Sequence, residues 1–156
     1  NRIEQWTQVY DVYDAGGTWI AGQPVLYHDV EPLLTPTALL SGTVDWKASP
    51  AVGALLTGRW VDAAQLDNTG NPAYRTPSFF DLDLQATVSL ARWVKRGEPK
   101  IRVMATNLLD DRRAWPSGYS YLYFVRDAAG RDTLEGTASY YPLATRSVYV
   151  TLDVRF

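Results

Sequence analysis

The closing stretch RSVYVTLDVRF, residues 146–156, alternates without exception between apolar and polar side chains. Val148, Val150, Leu152, Val154 and Phe156 share one parity, and Ser147, Tyr149, Thr151, Asp153 and Arg155 share the other. Successive side chains of an extended chain point to opposite faces, so a strand puts the two sets on separate sides whereas a helix would mix them. A strand that runs to the end of a chain frays unless a neighbour holds it, so this one is expected to pair.

The same period recurs upstream. Leu40, Gly42, Val44 and Trp46 alternate with Leu39, Ser41, Thr43 and Asp45; Ala54, Leu56, Gly58 and Trp60 alternate with Gly53, Leu55, Thr57 and Arg59. Leu82, Leu84, Ala86, Val88 and Leu90 alternate with Asp81, Asp83, Gln85, Thr87 and Ser89, with Phe79 and Phe80 leading in. Ile101, Val103 and Ala105 follow, ending at NLLDD. A weaker strand over residues 5–13 turns at DAGG, where Gly16 and Gly17 are both expected at positive φ, and is answered by TWIAGQPVLYHDV. Both arms mix Gln, Asp and His with Trp and Tyr, which predicts a hairpin wetted on both faces. In the longest connection, residues 110–145, YLYFVRDAAGRDTLEG repeats the hairpin idea with DAAG in place of DAGG.

Composition agrees with strands: 13% of the residues are aromatic, a bias that favours sheets over helices. The net charge of -2 and the lack of a basic tract give no reason to expect nucleic acid. With no cysteine, disulfides, thiol catalysis and thiolate metal sites are excluded. No apolar run is long enough for a transmembrane helix, which leaves transmembrane strands open. NRIEQWTQVY already reads as the middle of a strand, so we expect a fragment of a longer protein.

Connections are short at 47–51, intermediate at 91–100, and long at 14–35, 62–78 and 110–145. Tight turns at one end, elaborate loops at the other, and a one-sided apolar face are the build of a transmembrane barrel. We therefore expect an all-β fold: about six antiparallel strands of a larger β-barrel, with long extracellular loops. Six strands cannot close alone, and an open edge in hydrocarbon leaves unpaired backbone groups. KASPA and ARWVKRGEPK would then be periplasmic, with Trp46 and Trp93 at the inner interface and Trp60, Phe79 and Phe80 at the outer one.

NLLDDRRAWPSGYSY, YYPLATRSVYVTLDVRF and LDNTGNPAYRTPSFFDLDLQATVSL resemble the C-terminal end of TonB-dependent outer-membrane receptors, in which a strand ending in Asn-Leu-x-Asp, a long surface loop, an Arg-led last strand and a terminal Phe follow in this order. The resemblance covers about residues 36–156. It implies a 22-stranded barrel in the Gram-negative outer membrane with its C-terminus periplasmic, plugged by an N-terminal domain and energised through TonB. It also implies uptake of a scarce nutrient such as a ferric siderophore, cobalamin or haem. The family's plug and TonB-contacting segment are not in these 156 residues, so those partners would act through other parts of the protein.

The resemblance gives Val148, Val150, Leu152, Val154 and Phe156 a second role beside facing lipid, as the signal read by the barrel assembly machinery. Strand addition is a physically reasonable mode for it. Arg112, Arg113, Trp115, Tyr119, Tyr121 and Tyr123 combine cations with aromatic faces and suit an anionic, partly aromatic small molecule such as a metal chelate. They equally suit stiffening a long loop by mutual packing. Asp81 and Asp83 share a face with Arg59 and Asp45 and would line the lumen. Polar alternation accounts for the two carboxylates without catalysis, and we expect no enzyme. We expect no cofactor and no metal site, since His28 is the only histidine and neither Asp110 with Asp111 nor DNTGN fits a calcium loop. The alternative is a soluble β-rich ligand-binding module, for example for carbohydrate.

Overall fold

In the computed structural model, which describes residues 1–94 and 97–155, the described residues form nine strands in two sheets and no helix. The fold is all-β. The strands are β1 (Ile3–Asp14), β2 (Trp19–Val30), β3 (Leu39–Ser49), β4 (Val52–Val61), β5 (Phe79–Ser89), β6 (Lys100–Thr106), β7 (Ser117–Arg126), β8 (Asp132–Tyr141) and β9 (Ser147–Asp153). About six were expected. The surplus comes from the two hairpins, β1–β2 and β7–β8, of which β2, β7 and β8 fall within the expected barrel connections at 14–35 and 110–145, and whose faces mix polar and aromatic residues and so lack a clean period.

The chain feeds two compact units in turn. One holds Asn1–Thr37, Asp62–Ser78 and Trp115–Tyr141; the other holds Ala38–Val61, Phe79–Ala114 and Pro142–Phe156. The strictly alternating strands all fall in the second unit, as a five-stranded sheet in the order β3-β4-β5-β6-β9. Every pairing in it is antiparallel, and β3 and β9 each have one neighbour, so the sheet is open at both edges.

In chain order the three segments of the first unit precede β3, link β4 to β5, and lie between β6 and β9. They are not loose loops. β2, β1, β7 and β8 make a four-stranded sheet in that order. Its central ladder is parallel, which departs from the antiparallel expectation, and it pairs only Val12 with Phe124, Tyr13 with Val125 and Asp14 with Arg126.

The two hairpin turns share one geometry. Asp14 Oδ1 accepts the N–H groups of Gly16 and Thr18, both at 2.8 Å. Asp127 Oδ1 accepts those of Ala129 and Arg131, both at 2.9 Å. A carboxylate holding the next backbone donors is what favours Asp at the start of a turn. Gly17 (φ 82°) and Gly130 (φ 78°) occupy the left-handed position. Gly16 does not, contrary to expectation, and Ala129 takes its place in the second turn, so only the final glycine is conformationally required.

The hairpin of β1 and β2 is not wetted on both faces. Tyr10 and Val12 are buried at 2% and 1% exposure. The Tyr10 ring meets Phe124 edge-on at 5.3 Å, and its hydroxyl is 2.8 Å from that of Tyr27. The segment 62–78 folds back on itself through Leu66 N–H to Tyr74 O and Thr76 N–H to Ala64 O, burying Leu66, Gln65 and Thr76 in the same unit.

Candidate functional site

The register of the five-stranded sheet makes one face almost wholly apolar and leaves the other mixed, with Leu39–Val61–Phe79 and Asp45–Leu55–Gln85–Met104–Tyr149 among the rows of the mixed face. Cross-strand rows on the first face read Leu40–Trp60–Phe80, Gly42–Gly58–Leu82, Val44–Leu56–Leu84–Ala105–Val148, Trp46–Ala54–Ala86–Val103–Val150 and Ser49–Val52–Val88–Ile101–Leu152. Each member but Ser49 is apolar or glycine. The other face carries Ser41–Arg59–Asp81, Thr43–Thr57–Asp83 and Lys47–Gly53–Thr87–Arg102–Thr151. The apolar face is not a core: Leu40 is 65% exposed and Val150 70%. Trp60 and Phe80 stand side by side in its last row and Trp46 lies towards the opposite end. Phe79 belongs instead to the polar face, buried beneath the guanidinium of Arg59 at 5.9 Å, which corrects its expected place beside Phe80 at an interface.

Val148, Val150 and Leu152 lie on the apolar face of the edge strand β9, and Val154 just beyond it is also exposed. Phe156 lies outside the described residues. Asp83, one of the paired carboxylates, accepts the N–H of Asn107 at 3.1 Å. Asp110 and Asp111 are likewise engaged: Asp110 Oδ1 accepts the Arg146 N–H at 3.0 Å, Asp110 Oδ2 takes Arg112 at 3.0 Å, and Asp111 Oδ1 caps the Arg113 N–H at 2.9 Å. No cluster of three metal-ligating side chains occurs among the described residues.

Comparison with family models, curated proteins and solved structures yields no match. What the chain does is therefore argued from its own geometry.

The six loop candidates divide between the units. Arg112 and Arg113 belong with the five-stranded sheet, whereas Trp115, Tyr119, Tyr121 and Tyr123 belong with the four-stranded one. Within that unit the aromatics pack on one another, Trp115 stacking on Tyr140 at 5.3 Å and Tyr119 tilting on Tyr141 at 6.2 Å. Tyr121 and Tyr123 are 5.5 Å apart, and Tyr13 meets Tyr123 edge-on at 5.7 Å. The hydroxyls of Tyr13 and Tyr121 lie 3.3 Å apart. That hydrogen bond, with nearby Asp11, pushes the Tyr121 phenol up to about 12. Mutual packing is thus present, yet Tyr119, Tyr121 and Tyr141 remain about half exposed, leaving an aromatic surface free for a ligand.

Beside Tyr121 lies a feature that sequence reasoning missed. β1 and β7 pair over three residues and then part, opening a cleft of about 440 Å³ between Trp6–Asp11 on one side and Ser120–Leu122 on the other. Leu33 and residues 66–69 complete its lining. Ser120 Oγ donates to Asp67 Oδ2 at 3.1 Å, tying the 62–78 segment to β7. The lining comes from four stretches far apart in the sequence, and the one local cue was the aromatic and polar mixture of QWTQVYD.

Proposed function

We propose that the chain is part of an outer-membrane receptor of the TonB-dependent kind. In this reading β3, β4, β5, β6 and β9 cross the bilayer as a segment of a larger barrel, and the four-stranded unit carries the ligand-binding surface. The observation that carries it is the apolar face of the five-stranded sheet, four rows of apolar residues or glycine and a fifth broken only by Ser49 at the β3 edge, with Leu40, Val44, Trp46, Val148 and Val150 more than half exposed. The eight residue steps from Val52 to Trp60 span about 27 Å at the rise of an antiparallel strand. At the usual tilt this covers most of a lipid-facing band about 25 Å tall.

Three further features support the proposal. Tryptophan and phenylalanine stand towards the ends of the face, where amphipathic rings prefer headgroups. Connections alternate between short turns and folded excursions, as barrels place them inside and outside. Both edges of the sheet are open, which in hydrocarbon requires further strands on either side. β9, with Val148, Val150 and Leu152 outward, then serves both the lipid contact and the assembly signal. The substrate would be a scarce nutrient held first by the aromatic surface.

Membrane extraction tests this. The native protein should stay with outer membranes through salt and carbonate washes, leave only with detergent, and migrate differently on a gel before and after boiling. Release without detergent together with identical migration would overturn it.

A further inference from the structure

We propose that the cleft between β1 and β7 binds an organic cation, an ammonium or guanidinium carried on a partly apolar body. The proposal goes beyond the membrane reading and does not depend on it. At about 440 Å³ the cleft is of small-molecule size. Its lining joins two aromatic rings, Trp6 and Tyr121, with the buried Tyr10 behind them, to two carboxylates, Asp11 on β1 and Asp67 in the 62–78 segment. None of its described lining residues is Lys, Arg or His.

The two carboxylates are held by neutral donors. Asp11 Oδ1 accepts the Trp19 indole N–H at 3.0 Å, and Asp67 accepts Thr69 through Oδ1 and Ser120 through Oδ2. Neutral donors orient a carboxylate and leave its charge in place, so the cleft keeps a negative potential beside electron-rich ring faces. Both attract a cation, and both disfavour an anion. Val9, Leu66 and Leu122 supply the apolar wall that would cover the body of such a ligand. The anionic ligand expected from Arg112 and Arg113 finds no counterpart here: these arginines belong to the other unit, and Arg112 is paired with Asp110.

Calorimetric titration of the full chain with benzylammonium, benzyltrimethylammonium, benzyl alcohol and benzoate tests this. Both cations should bind saturably, benzyl alcohol should bind roughly tenfold more weakly, and benzoate should bind weakest of all. Raising the salt should weaken only the cations. Asp11→Asn and Asp67→Asn, which keep the shape of the side chains, should each lower cation affinity roughly threefold to tenfold. Should Asp67→Asn disturb its own turn, Asp11→Asn, whose carboxylate is exposed, carries the test alone. Failure of both cations to bind, equal binding of benzyl alcohol or benzoate, or unchanged cation affinity in Asp11→Asn would overturn the proposal. Cation binding by a protein that leaves membranes without detergent would contradict the receptor reading and leave this one standing.

Discussion

Asp110 Oδ1 accepts the backbone N–H of Arg146 at 3.0 Å, joining the start of the longest excursion of the chain to its return. Asn107 completes the clasp. Its side chain donates to the carbonyls of Asp111 and Ala144 and accepts the N–H of Asp111, and Leu143 N–H bonds to Ala114 O one step further out. The Asn-Leu-x-Asp pattern and the Arg that leads the last strand thus have a local physical meaning: they fasten the chain after β6 to the chain before β9.

Asn107 is buried and sits at φ 47°, a conformation asparagine tolerates better than most residues. Asn107→Ala should cost about 2–4 kcal/mol, through lost buried hydrogen bonds and backbone strain. Asn107→Gly should recover only the strain. Denaturant unfolding of both variants separates the two contributions.

Acid should act on the same clasp. The Arg146 N–H, and after it Arg112, holds the Asp110 carboxyl below its usual range. Asp127 is lowered by the Arg131 backbone and side chain, and Asp132 by Arg126. A carboxylate with a depressed folded pKa stabilises the fold above the ordinary carboxylate range and loses that contribution as the pH falls through the folded value. The melting temperature should therefore hold from neutrality to about pH 5 and fall below about pH 4. Carboxyl carbon shifts should show these three aspartates titrating after the others.

Alkali should loosen the four-stranded unit. Burial, then the hydroxyl of Tyr27, raises the Tyr10 phenol, and Tyr121 is pushed up to about 12 by its bond with Tyr13. An acid raised on folding contributes fully below the ordinary phenol range near 10, and that contribution fades as the pH climbs towards the folded value. Absorbance at 295 nm should show Tyr10 ionising only as the unit opens. Tyr10→Phe should cost about 1 kcal/mol at neutral pH for the lost hydroxyl contact and should flatten the alkaline decline.

The five-stranded sheet was legible because strict alternation is a strong signal: Val148 to Leu152 and Leu82 to Val88 declare their faces residue by residue. β1, β2, β7 and β8 were less so. Tyr10 and Val12 are buried although Gln8 and Asp11 stand among them in the sequence, and the distant strand β7, through Phe124, helps explain why one side of that hairpin is dry. A parallel ladder of three pairs between strands more than a hundred residues apart leaves no local trace, and neither does the cleft it opens. The tyrosines of β7 announced themselves by type, while Asp11 and Asp67 acquire meaning only from the pairing.

A charge on the apolar face should be costly and one on the opposite face benign. Val150→Arg, in the row with Ala86 and Val103, should lower folding stability in lipid vesicles by about 2–4 kcal/mol. Thr151→Arg, one residue on, should change it by less than about 1 kcal/mol.

These 156 residues contain no cysteine, so single cysteines for spin labels can be placed along β9, with any cysteine elsewhere in the protein replaced first. Labels at residues 147–152 of the full-length protein in outer membranes should alternate strictly. Positions 148, 150 and 152 should be open to oxygen and closed to a water-soluble nickel chelate, and positions 147, 149 and 151 the reverse. Equal access of the chelate to both sets would contradict a lipid-facing sheet, and the receptor reading with it.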